Sequence, residues 1–142
     1  MLTKFGIRTQ LPKGSRSMIL GLGIDLVENR RVEQELARGD WLLGDGIFTP
    51  EEVSYCAAAG RPASRYAACF AAKEATLKAL GLPVNDLGMF REVEVRFAAG
   101  PDPEIVLHHR LKAESEQLGV RRIWLSLAHN AGQTGAVVTL ED

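Results

Sequence analysis

The chain has 142 residues, nearly balanced basic and acidic side chains, and a net charge of −1. That length fits one domain with a modest core. The near-neutral balance supplies no global field for nucleic acid or a membrane surface, and no apolar run reaches membrane-span length or has the form of a signal peptide.

Residues 1–17 carry Lys4, Arg8, Lys13 and Arg16 with Pro12 and Gly14, and show no clear period. They read as a flexible N-terminal extension, with the folded domain expected over 18–142. Met18 to Leu26 reads as a buried strand with Gly21 and Gly23, ending at Asp25. Val27 to Arg38 reads as a helix, with Val32 and Leu36 on one side and mostly charged residues on the rest. Thr49-Pro50-Glu51-Glu52 is a helix start: Thr as N-cap, Pro at the first helical position, and Glu placed to close a capping box. That helix is expected to end near Gly60.

Pro62 to Leu80 is predicted as a long helix rich in alanine and leucine, with Gly81 where a C-terminal cap belongs. Tyr66, Phe70, Leu77 and Leu80 make its apolar stripe, and Lys73 falls within that stripe. Glu74, Lys78 and Gly81 line the neighbouring stripe. Two readings stand side by side. Glu74 and Lys78 are an ordinary i,i+4 pair, and Lys73 snorkels. Alternatively, the carboxylate and two lysines grip a polyphosphate and a metal ion.

A loop over 81–88 follows. Val93, Val95 and Phe97 alternate with charged residues and predict a half-exposed strand. Ile105 to Leu107 is a second short strand after a Gly-Pro-Asp-Pro turn. His108 to Leu118 is an amphipathic helix closed by Gly119. Ile123, Leu125 and Leu127 alternate up to His129, and after a turn at 130–132, Ala136 to Leu140 form the last strand. The order of elements predicts an α+β domain.

Polar residues end apolar elements at three places. Asp25 and Glu74 together could supply hard oxygen ligands for Mg²⁺, and Lys73, Lys78 and Arg31 could neutralise phosphates. This suggests phosphoryl-type transfer, in which positioning and charge stabilisation do most of the catalysis. Asp25 is equally placed to cap a helix, and His129 taken alone is a turn histidine. Cys56 and Cys69 lack metal-ligand spacing and read as small hydrophobes of a reducing cytosol. Trp41 and Trp124 read as packing residues.

Three motifs, taken in order, resemble one family. They are Gly23-Ile-Asp25, then Phe70-Ala-Ala-Lys73-Glu74-Ala with Lys78-Ala and Gly81, then Leu125-Ser126-Leu-Ala-His129-Asn with Gly135-Ala-Val-Val. The family is holo-[acyl-carrier-protein] synthase, the small trimeric type of 4′-phosphopantetheinyl transferase, and the likeness runs from Met18 to Glu141. It implies a single α+β domain with a small antiparallel sheet packed against a long central helix, assembled as a homotrimer with active sites at the subunit interfaces. It implies transfer of the 4′-phosphopantetheine arm of coenzyme A to a serine of an apo acyl carrier protein, in the cytoplasm. Asp25 and Glu74 would bind Mg²⁺, with Mn²⁺ as an alternative. Lys73, Lys78, Arg31 and His129 would serve the coenzyme A phosphates, with Gly81 allowing close backbone approach. Glu74 would activate the serine, so that Asp25, Glu74, Lys78 and His129 form the catalytic set.

The chain departs from the family pattern at Cys69, where arginine is usual and Arg65 lies one turn earlier, and at Trp124 and Ala128. Its first helix also mixes Glu33 and Glu35 with Arg31 and Arg38. These changes bear on coenzyme A affinity and on the carrier's identity. They leave open a non-catalytic or redirected paralogue that binds a carrier or partner on the same fold.

Overall fold

A computed structural model describes residues 16–39, 46–97 and 102–142. The expected extension at 1–17 lies outside these residues except for Arg16 and Ser17, and Trp41 also lies outside them. Among the described residues, five strands and five helices follow in the order β1 (Ile19–Glu28), α1 (Asn29–Arg38), α2 (Pro50–Ala57), α3 (Pro62–Ala79), α4 (Met89–Glu92), β2 (Val93–Arg96), β3 (Glu104–Leu107), α5 (His109–Gln117), β4 (Arg122–His129) and β5 (Gln133–Glu141). The fold is α+β, as the element order predicts.

β1, β5 and β4 form an antiparallel sheet in that order, and β2 and β3 form a separate antiparallel hairpin. α3 lies across β1 and β5. Its buried residues, among them Tyr66, Ala67, Ala71, Ala75 and Leu77, meet Ala136, Val138 and Leu140 of β5 in the core. The close approach of α3 to β1 depends on two glycines. A Cβ on Gly23 would stand 1.8 Å from the Ala75 carbonyl oxygen, and one on Gly21 would stand 2.1 Å from that of Ala79. α3 ends as its sequence demands. Gly81 takes φ +72°, its N–H reaches Lys78 O, and the Leu82 N–H reaches Leu77 O, which closes a Schellman motif.

Two expectations need correction. β1 does not end at Asp25 but runs on to Glu28, so the helix starts two residues later than predicted. β1 is also not buried on both faces. Gly21 and Gly23 lie against α3, while Leu22, Ile24 and Leu26 on the other face are each more than 60% exposed. An unbroken apolar run cannot distinguish a strand covered by its own chain from one left open. Beyond the expected loop over 81–88, Met89–Glu92 form a single helical turn, α4, before the strand.

α1 has no side-chain cap at its start. It is held instead by Asn29, which is buried. The Asn29 backbone N–H donates to Gly132 O, its Nδ2 donates to Asn130 O and Ala131 O, and its Oδ1 accepts from Thr134 Oγ1. These bonds fasten α1 to the β4–β5 turn.

Candidate active site

Asp25 comes from the middle of β1 and Glu74 from α3, the helix that crosses it. Both line a cavity of about 260 Å³ together with Arg31 and Glu35 of α1 and Phe70 of α3. The Asp25 side chain is only 9% exposed. Lys78 Nζ donates to its Oδ1 at 2.8 Å and to the Ile24 carbonyl at 3.2 Å. The i,i+4 partner expected for Lys78 was Glu74. Lys78 instead crosses to the strand.

The other Asp25 oxygen, Oδ2, is buried and accepts no hydrogen bond from the described residues while Glu74 is ionised; a protonated Glu74 bonds to Asp25. Glu74 is half-buried beside it. Desolvation pushes the Glu74 carboxyl up to about 7, and the adjoining Asp25 carboxyl adds to the rise, while Lys78 and Arg31 pull against it. Two carboxyls pressed together in a half-buried cleft, one with an orphaned buried oxygen, fit a divalent cation. Among the described residues no third Asp, Glu, His or Cys completes a cage. That leaves coordination positions to water and phosphate, which suits Mg²⁺.

Lys73 does not belong to this cleft, and its reading as a phosphate ligand is corrected. The side chain is fully buried. Its ammonium donates to Phe90 O at 2.8 Å, to Val93 O, and to Glu52 Oε2 at 2.9 Å. An ammonium has three protons, so none remains for a phosphate. Burial lowers the Lys73 pKa, and Glu52 opposes that shift. Sequence spacing correctly turned Lys73 inward, but the acceptors waiting there come from α2 and from the α4–β2 segment.

His129 ends β4 and is exposed. It lines a second, larger cavity of about 790 Å³ with Arg61, Arg65, Ser126 and Asn130. Among the described residues none lines both cavities. α1 runs between them, with Asn29 and Glu33 facing the larger and Arg31 and Glu35 the smaller. The structure therefore brings Asp25, Glu74, Lys78 and Arg31 together and leaves His129 apart within one copy of the chain. Gly81 ends the same helix as Lys78, one turn beyond it, with open space around its Cα.

The larger cavity holds Tyr55 and Arg61, which motif reading passed over, and Arg65, which it named only beside Cys69. Arg65 is fixed in place: Nη1 donates to Tyr55 O at 2.7 Å, and the guanidinium lies 4.1 Å from the Tyr55 ring centroid. Tyr55 in turn stacks on Phe97 at 4.0 Å. Arg61 and Arg65 sit four residues apart at the start of α3, and that basic pair was the available signal. Cys69 is fully buried, with its Sγ 3.8 Å from that of Cys56. Trp124 Nε1 donates to Glu141, which also meets Arg122. Both are interior or packing positions, as expected.

The family model described as the 4′-phosphopantetheinyl transferase superfamily matches residues 21–134. A protein of Geobacter sp. (strain M21) named holo-[acyl-carrier-protein] synthase is 42% identical over 124 residues, covering 87% of this chain and 99% of that protein. The crystal structure of holo-[acyl-carrier-protein] synthase from Neisseria meningitidis superposes with a TM-score of 0.78 at 31% identity, covering 88% of this chain and all of that one. The Bacillus anthracis holo-(acyl-carrier-protein) synthase, solved in complex with coenzyme A (3′,5′-ADP), superposes with a TM-score of 0.70 at 28% identity, covering 88% of this chain and 98% of that one.

Proposed function

The chain belongs to the 4′-phosphopantetheinyl transferase superfamily and moves the phosphopantetheine arm of coenzyme A to a serine of an apo acyl carrier protein, and we propose that Asp25 and Glu74 hold the Mg²⁺ this transfer uses. The buried, unpartnered Asp25 Oδ2 beside the Glu74 carboxyl carries that reading. Mn²⁺ would fit the same oxygens. The bound ion would neutralise charge on the pyrophosphate where the P–O bond breaks.

The chain's own groups do the rest. Lys78 and Arg31 flank the two carboxyls and meet phosphate oxygens. Lys78 is 43% exposed at its side chain, so it can turn toward a ligand. Gly81 leaves its backbone open to close approach. Glu74, directly or through a water on the bound ion, would take the proton of the carrier serine. The serine oxygen then attacks the phosphorus, and adenosine 3′,5′-bisphosphate leaves.

A homotrimer reconciles His129 with this site. Leu22, Ile24 and Leu26 form an exposed apolar row on β1, and Leu20 and Val137 extend it. A row of that kind is suited to burial against further copies. Packed in a ring, one copy's Asp25 cleft would face the neighbour's larger cavity, and His129 with Arg61 and Arg65 would reach coenzyme A from there. Carrier docking would use α1, where Arg30 and Arg31 are exposed while Glu35 is drawn to Arg38. Among the described residues no helix is long and apolar enough to cross a membrane. The unlinked, buried Cys56 and Cys69 suit a reducing cytoplasm.

The test is mass spectrometry of apo carrier proteins incubated with this chain, coenzyme A and Mg²⁺. A gain of one phosphopantetheine that is abolished by chelator and by Glu74→Gln supports the assignment. Undiminished transfer by folded Glu74→Gln overturns the metal pair.

A further inference from the structure

Lys78 is tied to the wrong carboxylate for its place in the sequence. It stands one turn after Glu74 on α3, where an i,i+4 ion pair is expected. Its ammonium instead spans 53 positions of sequence to reach Asp25 Oδ1 and the neighbouring Ile24 carbonyl. Two of its three protons are spent there, and the third is free. The two oxygens of Asp25 thus have different surroundings. Oδ1 holds a cation already, while Oδ2 is buried with no donor when Glu74 is ionised.

A cation placed on Oδ2 and Glu74 would have the lysine charge one carboxylate away. The repulsion acts across Asp25, which is largely shielded from water, although the 43% exposed Lys78 side chain leaves it partly screened. Asp25 with Lys78 already compensated cannot fully neutralise a dication as well. A pyrophosphate changes the balance, because its oxygens can take the free proton of Lys78 and ligate the metal together.

We propose that Lys78, through its bond to Asp25 Oδ1, couples metal binding to coenzyme A binding, opposing a cation at Asp25 and Glu74 until the pyrophosphate takes up the lysine's charge. The inference rests on the reading of Asp25 and Glu74 as the metal pair. By linkage, the factor by which coenzyme A tightens the metal equals the factor by which the metal tightens coenzyme A. Ion and substrate therefore load together, and the ion alone binds poorly.

Calorimetric titration of the full chain without carrier protein tests this, since no turnover occurs. Mn²⁺ is titrated alone and coenzyme A is titrated with and without Mn²⁺, for the wild type, Lys78→Met, Lys78→Arg and Asp25→Asn. The wild type should show coupling of about tenfold or more. Lys78→Met should bind Mn²⁺ alone several times more tightly, bind coenzyme A more weakly, and lose most of the coupling. Lys78→Arg keeps the charge and should keep the coupling. If Lys78→Met binds Mn²⁺ alone no better than wild type, or retains the coupling, while Asp25→Asn abolishes Mn²⁺ binding, the metal pair stands and the role of Lys78 is overturned. If Asp25→Asn binds Mn²⁺ as the wild type does, the metal pair itself falls, and the coupling with it.

Discussion

Lys73 Nζ lies 2.9 Å from Glu52 Oε2, and both side chains are excluded from water. The pair joins α2 to α3 and, through Val95 N–H on Glu52 Oε1, to β2. Such a pair adds little over a well-packed apolar alternative, but breaking it strands a buried charge. Glu52→Gln should therefore destabilise the chain by roughly 3–5 kcal/mol. Combining it with Lys73→Met should recover part of that loss. Denaturant unfolding of the two variants checks this. A loss in Glu52→Gln below about 1 kcal/mol, the level of an exposed pair, would contradict a structural role for Lys73.

Gly23→Ala tests how Asp25 is delivered to Glu74. The added carbon would stand 1.8 Å from the Ala75 carbonyl oxygen and 2.8 Å from Ala79 N, both backbone atoms of α3 that cannot rotate away. Strand and helix must separate, at roughly 1–3 kcal/mol or more. Asp25 lies two residues along the same strand, and Glu74 precedes Ala75, so metal affinity should fall with stability. Gly135→Ala is the control, because its carbon would stand 3.4 Å from Leu26 Cδ1, 3.6 Å from Asp25 O and 3.9 Å from Ala128 O, all ordinary contacts. Thermal melts with and without Mg²⁺ should separate the two variants. Equal behaviour would show that the strand does not depend on that approach.

The legible parts of the chain are those set by neighbours in sequence. The Thr49–Glu52 capping box forms as read, with Glu52 N–H on Thr49 Oγ1 and Thr49 N–H on Glu52 Oε2. Gly81 and Gly119 both take the positive φ expected of helix C-caps. The same Glu52 marks the limit. Its capping role is a local rule, but its bonds to Lys73 and Val95 depend on which elements meet. Asn29 is similar: nothing in its own segment shows that the 130–132 turn will lie against it. Asp25 and Glu74 were legible only as residue types in motifs. Their adjacency follows from the two glycines that let α3 rest on β1. The separation of His129 from that pair has no sequence signature.

Glu74 links stability to pH with an unusual sign. Its carboxyl rises from 4.5 to about 7 on folding, chiefly through desolvation and then through Asp25. Between those values the folded chain holds more protons than the unfolded one, so metal-free stability falls as pH rises through the window and levels off above about 7. Glu74 is half-exposed, so the slope should be only a fraction of the roughly 1.4 kcal/mol per pH unit of full linkage. A cation competes with that proton, and Mg²⁺ should raise the melting temperature more above the window than within it. Glu74→Gln should flatten the metal-free profile. A profile that keeps its slope in that variant would assign the titration to another group.

The separation of His129 from Asp25 gives the proposed trimer a test in mixed subunits. Asp25→Asn spoils the smaller cavity, and His129→Ala spoils the larger. If each active site takes one cavity from each of two neighbouring copies, both variants are inactive alone. After dissociation and reassembly in equal parts, a closed ring of copies should contain sites that are intact on both sides, about a quarter of the total by chance pairing. Activity should recover toward that fraction, with subunit exchange verified by native mass spectrometry. Leu22→Asp, which puts a charge into the exposed apolar row, should lower the assembly mass and abolish the recovery. Exchanged rings with no regained activity would place His129 outside the shared site, because sites built within one copy gain nothing from a neighbour.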